Sequence, residues 1–181
     1  MSRRISLREF QENLAHRLAE AQTGERRGLL GVQAGDENWL LQLAETGEIL
    51  VPPPLATVPL TRAWYRGLAN VRGTLYGIID FSGLHDGLPI VPSGPARLLL
   101  IGARHGVHSA LLVSRVLGLR SEEDFEADHG PPDPRPWVGQ RMRDMQDRPW
   151  LKLDVPKLLA NSAFLDAGAD YSHGTPSHQT S

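Results

Sequence analysis

Trp64-Tyr65-Arg66-Gly67-Leu68-Ala69-Asn70-Val71-Arg72-Gly73-Thr74-Leu75-Tyr76-Gly77-Ile78-Ile79-Asp80 is the stretch on which the reading of this chain turns. Leu75 to Phe81 carries Ile78 and Ile79 and has the composition of a buried strand. Trp64 to Gly67, just before it, reads as a helical turn. Between them Gly67 and Gly73 bracket an asparagine and an arginine, and glycine tolerates backbone angles that side chains resist, so the segment predicts a tight bend. That bend presents Asn70 and Arg72 at one edge. The planar fork of Arg72 suits bidentate pairing at an interface, and its plainer role would be to close a local turn.

Short extended pieces continue on both sides. Gly28 to Gln33 and Trp39 to Leu43 are apolar runs joined through the Gly35-Asp36 turn signal, a hairpin with a loop of about five residues. Glu48 to Val51 is a third extended piece, and Pro52, Pro53 and Pro54 then force an edge or an exit because proline cannot donate a ladder hydrogen bond. After the glycine- and proline-rich loop Leu84 to Pro95, the runs Arg97 to Ile101 and Val107 to Val116 predict a second hairpin across Gly102 to Gly106. Asp128 to Pro136 holds four prolines and reads as a surface excursion. Trp150 to Val155 alternates like a half-buried strand, and Asp154 is placed to cap a helix with Pro156 in its first turn and Leu158, Leu159 and Phe164 along it.

At the start, Leu7, Phe10, Leu14 and Leu18 recur at helical steps, with Ser6 and Glu9 as a capping box, predicting an amphipathic helix over Leu7 to Gln22 that stops near Gly24. After Gly168 the chain has little apolar content and is expected to be disordered. The organisation is therefore a helix within 1–24, one domain over 25–165, and a tail over 166–181.

Composition narrows the function. The chain has 181 residues, 40% of them hydrophobic, enough for one compact domain or two very small ones sharing an interface. A formal net charge of -2 and the lack of an aromatic-basic stripe argue against nucleic acid. With no cysteine, disulfides, thiolate zinc, iron-sulfur clusters and thiol nucleophiles are excluded together, and a reducing cytosol is expected. Met1 to Ile5 is basic but Arg8, Glu9, Glu12 and Arg17 break any apolar h-region, so no signal peptide is read. No apolar run approaches the ~20 residues that span a bilayer, so no direct membrane insertion is expected.

Chemistry finds little purchase. Gly102 and Gly106 give G-x-x-x-G, short of the dinucleotide fingerprint, and the valine-rich run that follows favours strand over helix. Ser109 misses the nucleophile-elbow spacing, and its neighbour His108 would point to the opposite face of a strand. His105 and His108 form no ligand pair of known spacing; they, His85 and His129 are expected as exposed loop residues, with no metal or other cofactor. The competing reading is a small enzyme or nucleotide-binding protein using Gly102 to Ser109.

The segment quoted first resembles the central signature of CheW-like chemotaxis coupling domains: an aromatic or apolar residue, two variable positions, a glycine (Gly67), an apolar residue, a variable position, Asn70, an apolar residue, Arg72-Gly73, then an apolar strand ending in Asp80. Glu48-Ile49 resembles that family's Glu-Ile step, Arg97 to Leu119 its second strand pair with a valine-rich end, and Trp150 to Leu159 its closing strand and leucine pair. The leading Leu7-Arg8-Glu9-Phe10-Gln11 is similar to the adaptor branch of type IV pilus, twitching-motility systems. The resemblance implies a mainly β fold of two small five-stranded SH3-like barrels with an N-terminal helix and a short C-terminal helix. It implies a non-catalytic adaptor between methyl-accepting chemoreceptor tips and the SH3-like regulatory domain of a histidine kinase, in the cytoplasm at polar, membrane-associated arrays. It also implies partner contacts at Glu48, Ile49, Asn70, Val71, Arg72 and Gly73. Trp64-Tyr65, Ala69 and Phe81 depart from the family's usual residues, and Asp128 to Arg148 has no clear counterpart in it.

Overall fold

The computed structural model describes residues 28–101 and 103–167; the helix expected before Gly24 and the tail expected after Gly168 lie outside the described residues. The chain forms β1 (Leu29–Ala34), β2 (Glu37–Gln42), β3 (Thr46–Leu50), β4 (Tyr65–Val71), β5 (Thr74–Asp80), β6 (Arg97–Ile101), β7 (Ser109–Val113), β8 (Arg115–Arg120), β9 (Phe125–Ala127), β10 (Val138–Asp144) and β11 (Pro149–Leu153). Two short helices follow, α1 (Val155–Ala160) and α2 (Ser162–Leu165).

The strands fall into a six-stranded sheet, β8-β1-β2-β11-β10-β9, and a five-stranded sheet, β3-β6-β7-β5-β4. The second is thus a continuous insert, residues 46 to 113, between the first two and the last four strands of the first. Local pairing accounts for the antiparallel hairpins, but the parallel pairs β2–β11 and β5–β7 join strands far apart in sequence.

The apolar runs that define the strands are continuous because both of their faces are buried. Along β6, Leu98 and Leu100 enter a core inside the five-stranded sheet, while Leu99 and Ile101 enter a larger core shared between the sheets. β7 repeats the alternation: Ala110 and Leu112 point inward, and Leu111 and Val113 point to the shared core. In β1 and β2, Leu29 and Leu40 line the six-stranded sheet's own core with Trp150, and Leu30, Val32, Trp39 and Leu41 meet the insert. Burying a leucine or valine side chain contributes roughly 1.5–3 kcal/mol, so this shared layer joins the halves into one body.

Several expectations change. The first hairpin is tighter than expected, with Gly35 (φ 59°) and Asp36 alone between its strands. Trp64 to Gly67 is not a helical turn, since β4 starts at Tyr65 and pairs with β5. The run Val107 to Val116 is not one strand: it breaks at Ser114, whose N–H donates to the Gln33 carbonyl at 2.8 Å, and β8 crosses back to pair with β1. The stretch without a family counterpart supplies β10, paired with both β9 and β11. Asp154 caps α1 as expected, its side chain accepting from Lys157 N, but the helix ends at Ala160 and Phe164 falls in α2.

His85 is not an exposed loop residue. Its ring stacks between Trp39 (centroids 5.0 Å apart) and Trp137 (5.5 Å) and meets the edge of Phe81 at 4.6 Å. Both ring nitrogens are buried without a hydrogen-bond partner. Burial first, and the Arg135 guanidinium second, lower its pKa from 6.5 to about 3. The imidazole is therefore neutral in the fold but protonated in the unfolded chain between these values. Over that window the unfolded state binds more protons, so stability rises with pH and is lost on acidification, by up to about 1.4 kcal/mol per pH unit. Urea unfolding at pH 4.5, 5.5 and 6.5 should show this slope, and His85→Phe should flatten it; an unchanged slope in the variant would rule out His85 as its source.

Candidate functional site

The signature segment folds into the β4–β5 hairpin. Val71 pairs with Thr74, leaving Arg72 (φ 51°) and Gly73 (φ 87°) as a two-residue turn with both angles positive. That geometry matches the right-handed twist of the flanking strands. Asn70 braces it, its Oδ1 accepting from Gly73 N at 2.8 Å.

Arg72 is 75% exposed, and its two terminal nitrogens donate to the two carboxylate oxygens of Glu48 in β3. β3 and β4 are the end strands of the five-stranded sheet, so this pair spans the seam where the sheet curls on itself. The hydrogen bond from Arg72 holds the Glu48 carboxyl below its ordinary range and raises the guanidinium in turn. Ile49 lies beside it, 39% exposed. Of the six residues expected to contact partners, Glu48, Asn70, Arg72 and Gly73 thus gather around one turn, with Ile49 next to Glu48 in β3. Val71 packs against the insert's core. Leu75, opposite Asn70 and 57% exposed, belongs to the same surface; only an apolar residue at an outward position of the alternation marks it in the sequence.

Two further devices fix the hairpin. Gly67 (φ 110°) lies against the segment leading in from the prolines, where Ala56 and Leu68 exchange backbone hydrogen bonds of 2.8 Å each. At the hairpin's far end the buried Asp80 carboxylate accepts from Arg66 Nη1 (2.9 Å), Gly83 N (2.9 Å) and Ile90 N (2.7 Å). Arg66 Nη1 also donates to the Ile90 carbonyl at 2.9 Å. Both backbone groups of Ile90 are therefore held by one ion pair, which orders the loop after β5.

The described residues of the competing region form no phosphate-binding helix start. Ala103–His105 is a single 3-10 turn followed by strand β7, and so short a turn gives no helix N-terminus for phosphate. His105, expected to be exposed, is drawn into contact with Glu45, which Arg104 also approaches at 3.6 Å. His108 lies against the Tyr76 ring, centroids 5.5 Å apart. Among the described residues no group of three or more His, Asp or Glu side chains could hold a metal ion, and no helix is long and apolar enough to cross a membrane.

Comparison with known proteins bears on the fold and the family. The protein PilI of Pseudomonas aeruginosa is 28% identical over 141 residues, spanning 76% of this chain and 78% of PilI. The crystal structure of the scaffolding protein TtCheW from Thermoanaerobacter tengcongensis matches with a TM-score of 0.60 at 16% identity, over 71% of this chain and 88% of that one. The likeness is one of fold, two small SH3-like β subdomains. The family model for the CheW-like domain matches residues 28–163, both sheets and the signature hairpin included. The chain belongs to the CheW-like domain family.

Proposed function

We propose that this protein is a non-catalytic adaptor that couples the cytoplasmic tips of methyl-accepting chemoreceptors to the SH3-like regulatory domain of a chemotaxis histidine kinase. The observation that carries the reading is the meeting of Glu48 and Arg72, distant in sequence, at an exposed turn beside the exposed Leu75. A guanidinium beside exposed apolar residues is the chemistry from which binding hot spots are built. The type IV pilus branch is supported by the Leu7-Arg8-Glu9-Phe10-Gln11 segment and the likeness to PilI. In this reading the adaptor works in the cytoplasm at membrane-associated, polar arrays, and residues 1–24 are a helix ahead of the adaptor domain. It performs no chemistry of its own and needs no cofactor.

Arg72→Glu sets two carboxylates against each other at the turn while leaving the core untouched. The expected result is a weakening of co-sedimentation with receptor and kinase by about tenfold or more, with unchanged circular dichroism. A variant that assembles and stimulates the kinase like the wild type would overturn the assignment of this surface.

A further inference from the structure

The proline-rich segment 128–137 takes no regular structure, yet it covers the junction of the two sheets. Trp137 at its end stacks on His85, which the insert contributes, and His85 stacks in turn on Trp39 of β2. Arg135 holds the segment down. Its Nη1 and Nη2 donate to Glu37 Oε2 and Oε1 at 2.8 Å each, and its Nε and Nη2 donate to Asp133 at 2.8 and 2.7 Å. The same guanidinium lies 5.1 Å from the centre of the Trp39 ring. These contacts favour a closed position.

Something also opposes it. Five buried side-chain nitrogens among the described residues lack a hydrogen-bond partner, and four of them, Trp39 Nε1, Trp137 Nε1 and both of His85, lie in this one layer. Closing the segment withdraws these atoms from water and offers nothing in exchange, which is unfavourable. The clamp that outweighs this cost sits at the rim, where Arg135 and Glu37 are partly exposed. Trp137 is the segment's contribution to the shared core, whose other members, Leu30, Val32, Leu99 and Leu111 among them, come from outside the segment.

We propose that residues 128–137 are a strap that opens over the junction of the subdomains as a local unit, with Arg135 as its clasp and Trp137 as its latch. Opening hydrates the indole and imidazole nitrogens, uncovers the aromatic faces of Trp39 and His85, and leaves both sheets folded. The adaptor thereby has two surfaces at its subdomain junction, one with the strap down and one with it lifted, and a partner that prefers either will shift the balance.

Amide hydrogen exchange on the full chain tests this directly. Val138 N donates to Arg135 O at 3.1 Å and Asp154 N to Trp137 O at 2.8 Å, so both amides report on the strap, whereas Phe81 N, bonded to Leu112 O at 3.0 Å, reports on the core. Val138 and Asp154 are expected to exchange on the order of a hundredfold faster than Phe81, with little dependence on low urea, as local opening does. Arg135→Gln should speed both by about tenfold or more while Phe81 holds its rate. Equal protection at all three amides in the wild type, falling together with urea, would show that the segment leaves only on global unfolding and would overturn the proposal without recourse to any variant. Unchanged exchange in a folded Arg135→Gln protein would overturn the role of the clasp.

Discussion

Gly67→Ala is expected to lower the melting temperature by roughly 10 °C or more, or to prevent folding. Two costs act together. With φ at 110°, any side chain is strained, a cost of order 1–3 kcal/mol. A Cβ there would also lie 2.0 Å from the Ala56 carbonyl oxygen and 3.0 Å from the Thr57 Cα, backbone atoms that cannot step aside without breaking the Ala56–Leu68 pair. The sum is a large part of the ~5–15 kcal/mol that holds a domain together. Gly73→Ala is the natural control. Gly73 also has positive φ (87°), but nothing lies within 4 Å of its missing Cβ, so only the conformational cost of about 1 kcal/mol should appear. Thermal unfolding of the two variants by circular dichroism separates the clash from the strain, and similar losses in both would refute the close approach at Ala56.

Asp80→Ala should cost about 3–5 kcal/mol, the range for breaking a buried ion pair by removing one partner. Asp80 is 1% exposed, and truncation takes the carboxylate from the Arg66 guanidinium, which keeps the Ile90 carbonyl, and leaves the amides of Gly83 and Ile90 without their acceptor. Asp80→Asn keeps the shape and one acceptor oxygen, so its loss should be smaller, while its amide turns a donor toward N–H groups that already donate. Urea unfolding gives the ranking, wild type, then Asn, then Ala. Because Arg66 and Asp80 act through Ile90, amide exchange in the 86–96 loop should rise in the Ala variant; a loop as protected as in the wild type would show that the ion pair does not order it.

Much of this could be read from residue order. The Gly35-Asp36 hairpin, the Ile78-Ile79 strand, the bend at Asn70 and Arg72 and the Asp154 cap all rest on short-range effects: turn residues that accept positive φ, β-branched strand residues, a carboxylate at a helix start. The helical turn expected at Trp64 to Gly67 failed because Gly67 serves a long-range contact with Ala56, which no local pattern encodes. The break at Ser114 was hidden because Val113 and Val116 look alike in sequence, although one faces the shared core from the insert and the other pairs with Val32 in the opposite sheet. His85 misled for a related reason: a histidine beside Asp86 reads as solvent-facing until two tryptophans, one of them from the end of the proline-rich segment, close over it.

The sequence by itself determined that this is a mainly β protein with no thiol chemistry and with an arginine-bearing turn in a CheW-like signature, because composition and turn preferences act over a few neighbouring residues. Only the tertiary structure decided that the second sheet is an insert within the first, that Glu48 meets Arg72 across a seam, and that Trp39, His85 and Trp137 share a buried layer. Each of these depends on the burial of apolar faces between segments far apart along the chain, and that free energy belongs to the assembled surfaces and to no single stretch of residues.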